Sequence, residues 1–392
     1  EKGVLDLSSW DLARDGEVRL DGEWEFYWNR FVTPQDFRAD ASPEMSGYIV
    51  VPSAWNGFIL PDGSRVGKYG HATYRMTILT AGLDGENVLR IPTMGTSYKM
   101  YVNGEVYASN GKTGRTLDAS VPQSLPLIKD LRDTGTSLEI IVHVSNFRDI
   151  SGGMRNAVIL GRENEVRMFD LFINVLKGVI LGCIFIIGLY HLGLFLQRRE
   201  EVAYFYFAVF CMVIIVRMLC TERFLHMLFP QPETRLYVFL MKLEYLSGYL
   251  ALPVFLDFLQ KLFPRELPVK VLRGFQFLGL SFSLIVIFTP VRFFESYTLF
   301  PYNIIIGIGI LYCLFIVVLA GRHKRPGAFL SIWGVVLLGF TGINDILFAL
   351  GILRIAQLLP LGLVGFILFQ AFILSERFTT SFMAVEKMSL DL

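Results

Sequence analysis

Seven apolar blocks of membrane-spanning length follow one another between Leu171 and Ser375, and they constrain what the rest of the chain can be. They cover approximately residues 171–197, 203–221, 236–260, 273–290, 298–320, 327–349 and 355–375. Each approaches the ~20 apolar residues that carry a helix across a hydrocarbon core, where backbone N–H and C=O groups must bond within their own segment. None has the alternation or turn punctuation of a membrane barrel strand. The expected architecture is a multidomain membrane protein. A soluble domain (1–165) precedes a seven-helix transmembrane bundle (166–376), and a short charged segment (377–392) follows it.

Positive charge orients the bundle. One set of connections holds Arg198, Arg199, Lys261, Arg265, Lys270, Arg273, Arg322, Lys324 and Arg325, with Arg377 after the last block; the opposite set holds Arg223, Arg235, Arg292 and Arg354. Ten against four puts the first set in the cytoplasm by the positive-inside bias. With seven crossings the N-terminal domain is then outside and the C-terminus inside. The first residue is Glu1 and the first apolar block begins near Leu171, so export of the outer domain implies a signal peptide that was removed or lies outside the numbering.

The 36 basic and 35 acidic residues leave a formal charge of +1, which gives no footprint for nucleic acid. Cys183, Cys211, Cys220 and Cys313 all fall in the apolar blocks, so no disulfide framework supports the outer domain. An exported, cysteine-free domain above seven helices suits a multi-pass protein of a bacterial inner membrane with a periplasmic face.

The outer domain reads as β throughout, with no convincing helix. Trp24, Phe26 and Trp28 alternate with Glu25 and Tyr27; Tyr74, Met76 and Ile78 alternate with Arg75 and Thr77; Leu138, Ile140, Val142 and Val144 alternate with Glu139, Ile141 and His143. Period-two patterning with one buried face is the signature of a sandwich. Asn103-Gly104, between Tyr98 and Ala108, has the positive-φ preference of a two-residue hairpin turn. Trp10, Trp24 and Trp28 are expected to pack in the core.

The segments Trp24, Pro52-Ser53-Ala54-Trp55-Asn56-Gly57, Ala72-Thr73-Tyr74-Arg75, Tyr101-Val102-Asn103-Gly104-Glu105 and Val142-His143-Val144-Ser145-Asn146 together resemble a galactose-binding-like jelly roll. Followed by seven helices, the chain resembles the bacterial 7TM receptors with diverse intracellular signalling modules (7TMR-DISM), in the version with a type 1 extracellular domain. The resemblance covers nearly the whole chain. It implies an extracytoplasmic sensor of a carbohydrate or similar small molecule, driving a cytoplasmic output domain of variable type.

The residues themselves give a parallel argument for sugar binding. Trp55, Asn56, Tyr69 and His71 lie in or beside the Gly- and Pro-rich stretch from Pro52 to Gly70, which reads as loop, where binding residues concentrate. A flat ring can stack on a sugar while Asn56, Asn146 or Arg148 bonds its hydroxyls. The alternative is that Trp55 belongs to the core and the others are turn residues. No catalytic residue is expected: paired carboxylates across a cleft, Gly-x-Ser-x-Gly, His-Glu-x-x-His and a dinucleotide fingerprint are all missing from the sequence. Neither a metal site nor a cofactor is expected.

Ionisable residues within membrane segments are costly and therefore informative. Lys177, Arg217, Lys242, Glu244, Asn344 and Asp345 fall in the outer third of four blocks, where they are expected to form a coupling cluster, or else to snorkel to the interface. The last block lacks the lysine of a retinal protein, and His191 is the sole histidine inside a span, too few for a membrane metallohydrolase. After Ser375, Phe378, Phe382 and Val385 recur on one helical stripe, which suits a parallel coiled coil and a homodimer leading into an output domain. An amphipathic helix lying on the membrane lipids is the alternative for that stripe.

The function these features imply is a transmembrane signalling receptor whose jelly roll senses a carbohydrate-like small molecule or a periplasmic partner and whose helices relay it to a cytoplasmic output domain. The alternative is a transporter or membrane-embedded glycan-handling protein with the sandwich as its capture module.

Overall fold

Alternation along the outer domain becomes two facing sheets. In chain order the elements are β1 (Val4–Leu7), α1 (Leu12–Asp15), β2 (Val18–Arg19), β3 (Gly22–Trp28), α2 (Pro34–Arg38), β4 (Gly47–Val51), β5 (Gly70–Thr80), β6 (Asn87–Ile91), β7 (Ser97–Val102), β8 (Glu105–Asn110), β9 (Leu127–Leu131), β10 (Ser137–Asn146) and β11 (Ile159–Arg162). The computed structural model describes all residues except 1, 40–42, 81–82, 84–85, 132–134, 350–357 and 391–392, and no side chains in 345–349 or 376–390.

One sheet has the order β4-β3-β5-β10-β7-β8, with β1 added parallel to β5; the other runs β2-β11-β6-β9. Neither closes into a barrel. Their inner faces share one core, in which Trp24, Phe26, Tyr74, Met76, Ile140 and Val142 of the first sheet meet Leu89, Ile91, Leu131 and Leu160 of the second. The β7–β8 hairpin turns at Asn103 (φ 48°) and Gly104 (φ 89°), the two positive-φ positions expected of that pair.

Two expectations need correction. The domain contains short helices, and α2 is defined by local chemistry that period-two reading overlooks. Thr33 caps it reciprocally with Asp36, and Pro34 opens it. Trp10 is 42% exposed and donates its Nε1–H to the Gly16 carbonyl at 3.1 Å, so it does not join the core.

The helices that follow are α3 (Glu163–Gln197), α4 (Val202–Thr221), α5 (Phe224–Leu228), α6 (Thr234–Leu262), α7 (Val269–Phe288), α8 (Val291–Arg322), α9 (Ala328–Ala349) and α10 (Leu359–Leu390). Among the described residues, α3, α4, α6, α7 and α8 are long and apolar enough to cross a membrane. Shorter apolar stretches, Ala328–Asn344 and Leu359–Ser375, lie in α9 and α10. An N-terminal β domain is thus followed by apolar helices, as the sequence predicts.

The chain forms two compact units. The first comprises Glu1–Ile173 together with Arg223–Met241 and Pro290–Ser296; the second comprises Asn174–Glu222, Lys242–Thr289 and Tyr297–Leu392. Helices α3, α6 and α8 therefore begin in the first unit and continue in the second. In the second unit Phe207, Phe255, Phe258 and Phe366 form an aromatic centre, with centroids 5.1 Å apart for Phe207–Phe258 and for Phe255–Phe366. Small residues let its helices approach closely. A Cβ at Gly279 would fall 2.6 Å from Pro253, and one at Gly362 would fall 2.0 Å from the Thr341 hydroxyl. Glu266, between α6 and α7, has a side chain only 1% exposed. It accepts from Arg325 Nε at 2.8 Å and lies 3.2 Å from His323 Nδ1, which ties the α6–α7 turn to the α8–α9 turn.

Candidate functional site

Three of the six ligand candidates on the sandwich, Trp55, Asn56 and Asn146, are taken up by holding its loops together. Trp55 is fully buried, edge-on to Trp28 with centroids 5.1 Å apart, and its Nε1–H donates to the Lys68 carbonyl at 3.3 Å. The indole fits because Gly152 has no side chain: a Cβ there would lie 2.2 Å from the ring. Asn56 donates to the Ile150 carbonyl at 2.8 Å and accepts from the Gly152 amide at 3.1 Å. Asn146, also fully buried, donates to the carbonyls of Lys68 (2.9 Å) and Asp149 (2.7 Å) and accepts from the Asp149 amide at 3.2 Å. These amides satisfy loop backbone groups that burial would otherwise leave unpaired.

The braced loop, 146–155, meets the segments of the first unit that lie between membrane helices. The Ile150 amide donates to Glu295 at 3.2 Å, and Arg292 Nε donates to the Phe147 carbonyl. The Arg292 guanidinium sits 4.4 Å above the centre of the Tyr69 ring, a cation–π contact. Lys68 Nζ reaches Ser296 Oγ at 3.5 Å, and Gln123 donates to the Pro230 carbonyl. Burial first, and the like charge of Arg292 as well, lower the pKa of the Arg148 guanidinium, with Tyr237 and Asp118 opposing. Two elements are new relative to the sequence reading. Residues 291–297 are helical, so α8 starts before the expected 298. Arg292 and Glu295, which resemble ordinary loop charges in the sequence, anchor that start to the sandwich.

At the other end of the domain α3 follows β11 without an intervening residue. Arg162 pairs with Glu86, Arg167 with Asp130, and Arg90 with Asp170 at 3.2 Å. Residues 159–170 therefore form a braced strand-to-helix step.

His71 is placed differently from the other candidates. It lines an open cavity of about 590 Å³ together with Asn29, Arg30, Phe31, Asp36 and Arg115. The imidazole is 4% exposed, and neither ring nitrogen has a hydrogen-bond partner among the described residues. Phe31 lies between His71 (4.7 Å) and His143 (4.9 Å). Burial, and then the charge of Arg115, lower the His71 pKa, with the backbone of Asn29 opposing without bonding geometry. Asp36 is occupied by the α2 cap, which holds its carboxyl below the usual range.

The intramembrane candidates form several separate interactions. Lys177 pairs with Glu222 at 2.7 Å, a partner the sequence reading did not consider because it lies just beyond α4. Lys242 donates to the Ile287 carbonyl at 2.7 Å. Arg217 donates to the backbone carbonyl of Glu244 at 3.2 Å, and both line a cavity of about 100 Å³ with Tyr245, Tyr249, Tyr302 and Asn303. Tyr249 shares a 2.6 Å bond with Thr298, and Tyr302 donates to the Tyr249 carbonyl. A search for charges passes over these neutral hydroxyls. Asn344 is buried, and the side chain of Asp345 lies outside the described residues.

The sequence profile described as 7TM diverse intracellular signalling (7TMR-DISM) matches residues 173–377. The chain belongs to this family. Members are transmembrane sensors, and the apolar helices of this 7TMR-DISM chain make it an integral membrane protein. No curated protein matches its sequence. Solved structures that share part of the fold include a GH2 β-galacturonidase from Eisenbergiella tayi bound to glycerol (17% identity, TM-score 0.26, 37% of this chain and 24% of that one). Another is the β-glucuronidase of Ruminococcus gnavus (16% identity, TM-score 0.28, 37% of this chain and 28% of that one). The chain thus spans about a quarter of the length of these enzymes.

Proposed function

We propose that this 7TMR-DISM chain is a non-enzymatic receptor of a bacterial inner membrane. Its periplasmic sandwich senses a carbohydrate or a related small molecule, and the helices relay binding to a cytoplasmic output domain, with α10 pairing two copies. The observation that carries this reading is the bonding of residues 290–296 to the sandwich loop 146–150. Arg292 and Glu295 belong to the first turns of α8, so a shift of that loop acts on a membrane helix without an intervening flexible linker.

Energetics set one condition. A ligand shifts the bundle only by its difference in affinity for the two bundle states, and moving a 1:99 population to 99:1 takes about 5.5 kcal/mol. A braced junction serves this purpose because it leaves few intermediate arrangements.

The test is a thermal-unfolding screen of the whole chain in detergent against neutral and acidic mono- and oligosaccharides. A binding saccharide at about 100 times its Kd stabilises by about 2.7 kcal/mol, which raises the melting temperature measurably. A screen in which no saccharide raises it would overturn carbohydrate sensing and leave the sandwich as a surface for a periplasmic protein.

A further inference from the structure

The cavity at His71 is a polar site that the loop-bracing residues do not use. It opens between the β3–α2 turn, which carries Asn29, Arg30 and Phe31, Asp36 in α2, the start of β5, and the 111–121 loop bearing Arg115. Three features indicate the chemistry it would accept.

The first is charge. Arg30 is tied to Glu44 at 3.2 Å, whereas Arg115 makes no ion pair among the described residues. Arg115 is exposed and lines the cavity with the five N–H donors of its guanidinium. The second is an orphaned group. His71 is 96% buried by complement of its 4% exposure, and both ring nitrogens are unbonded. Leaving a buried polar group without a partner is unfavourable, and a ligand bonded to it would recover that cost. The third is rigidity. The Arg115 loop is fixed at its base, because Gly114 N donates to Ser145 Oγ (3.0 Å) and Ser145 Oγ donates to the Gly114 carbonyl (2.8 Å). Ser145 is also the β-sheet partner of His71. The arginine and the histidine are therefore held by one pair of strands, so little ordering cost falls on binding.

From this juxtaposition we infer that the cavity binds a saccharide bearing a carboxylate, a hexuronate or a uronate-containing oligosaccharide. Arg115 takes the carboxylate in a bidentate pair, and His71 with the Asn29 amide bonds ring hydroxyls. Asp36 accepts from a hydroxyl, and the Phe31 ring supplies an apolar surface. A simple anion would use the guanidinium but leave the Asn29 amide and the His71 imidazole of the wall unused. This assignment rests on the carbohydrate-sensing reading and narrows it. It also connects the site to the helices. Tyr69, two residues before His71, is the ring beneath Arg292, so a ligand that repositions the start of β5 reaches the first turn of α8.

The experiment is calorimetric titration of the whole chain in detergent with galacturonate, glucuronate, galactose, glucose, acetate and inorganic phosphate. It is repeated with Arg115→Gln and with Arg65→Gln, an exposed arginine in another loop. The expected result is uronate binding that Arg115→Gln weakens about ten- to a hundredfold while Arg65→Gln leaves it unchanged. His71→Gln, which keeps a donor and an acceptor, is expected to weaken binding less than Arg115→Gln. Uronate binding unaffected by Arg115→Gln would overturn the site. Acetate or phosphate binding as tightly as the uronates, with the same loss in Arg115→Gln, would overturn the saccharide assignment. Binding of neutral sugars alone would overturn the acidic ligand and leave carbohydrate sensing standing. Binding of no saccharide would overturn both.

Discussion

Trp55 is one of the large, fully buried side chains of the outer domain. Its indole fills space that Gly152 leaves open, so Trp55→Ala should cost about 3–5 kcal/mol, as large-to-small changes in a core do. Gly152→Ala should also destabilise, because the added methyl has nowhere to go. Thermal unfolding of the two variants checks both, and an unchanged melting temperature for Trp55→Ala would contradict the burial. Histidines give a second residue-scale prediction. Burial lowers the pKa of His71, and lowers that of His143 despite the bond between its Nε2 and the Val32 carbonyl. Both rings therefore take up a proton less readily when folded than when unfolded, where imidazole titrates near pH 6.5. The unfolded state therefore binds more protons on acidification, and stability falls as pH drops below about 6.5. His143→Gln should flatten that slope between pH 7 and 5 in unfolding titrations; a slope as steep as the wild type would contradict it.

At the scale of elements, the hairpin at Asn103-Gly104 was legible because its signal is local: two residues specify the turn. The run of apolar helices was legible because length and apolar composition decide it, and five of the seven expected spans meet both among the described residues. The brace around loop 146–155 was not. Its partners are Asn56, Arg292 and Glu295, and only folding brings such distant positions together. Trp55 in particular reads as core with a sugar platform as the rival, and what decides is a missing side chain at Gly152. His71 was legible as a candidate, while Arg30 and Arg115, which complete its cavity, carry no motif.

Two predictions belong to elements. Gly362→Val should weaken the α9–α10 packing by about 1–3 kcal/mol through overpacking against Thr341. Gly339→Ala, at a position with open space, is the matched control in thermal unfolding. Glu266→Gln should loosen the two turns it joins, at a cost of about 1–3 kcal/mol, because Arg325 loses its charged partner. Greater protease sensitivity of 263–268 and 321–326 would report that loosening, and wild-type resistance would contradict it.

For the whole molecule, the receptor reading depends on the sandwich and the starts of α6 and α8 acting as one unit. The first unit includes 223–241 and 290–296 for reasons of bonding, since Gln123 bonds to Pro230, Arg292 to Phe147, and Ile150 to Glu295. Ligand binding in the outer domain should therefore be felt in membrane helices. Hydrogen exchange of the whole chain, with and without saturating galacturonate, measures this most directly. The account predicts added protection at 29–36 and 111–121 together with a change at 146–152 and 290–297. Protection confined to the sandwich, with 290–297 unaltered, would contradict it.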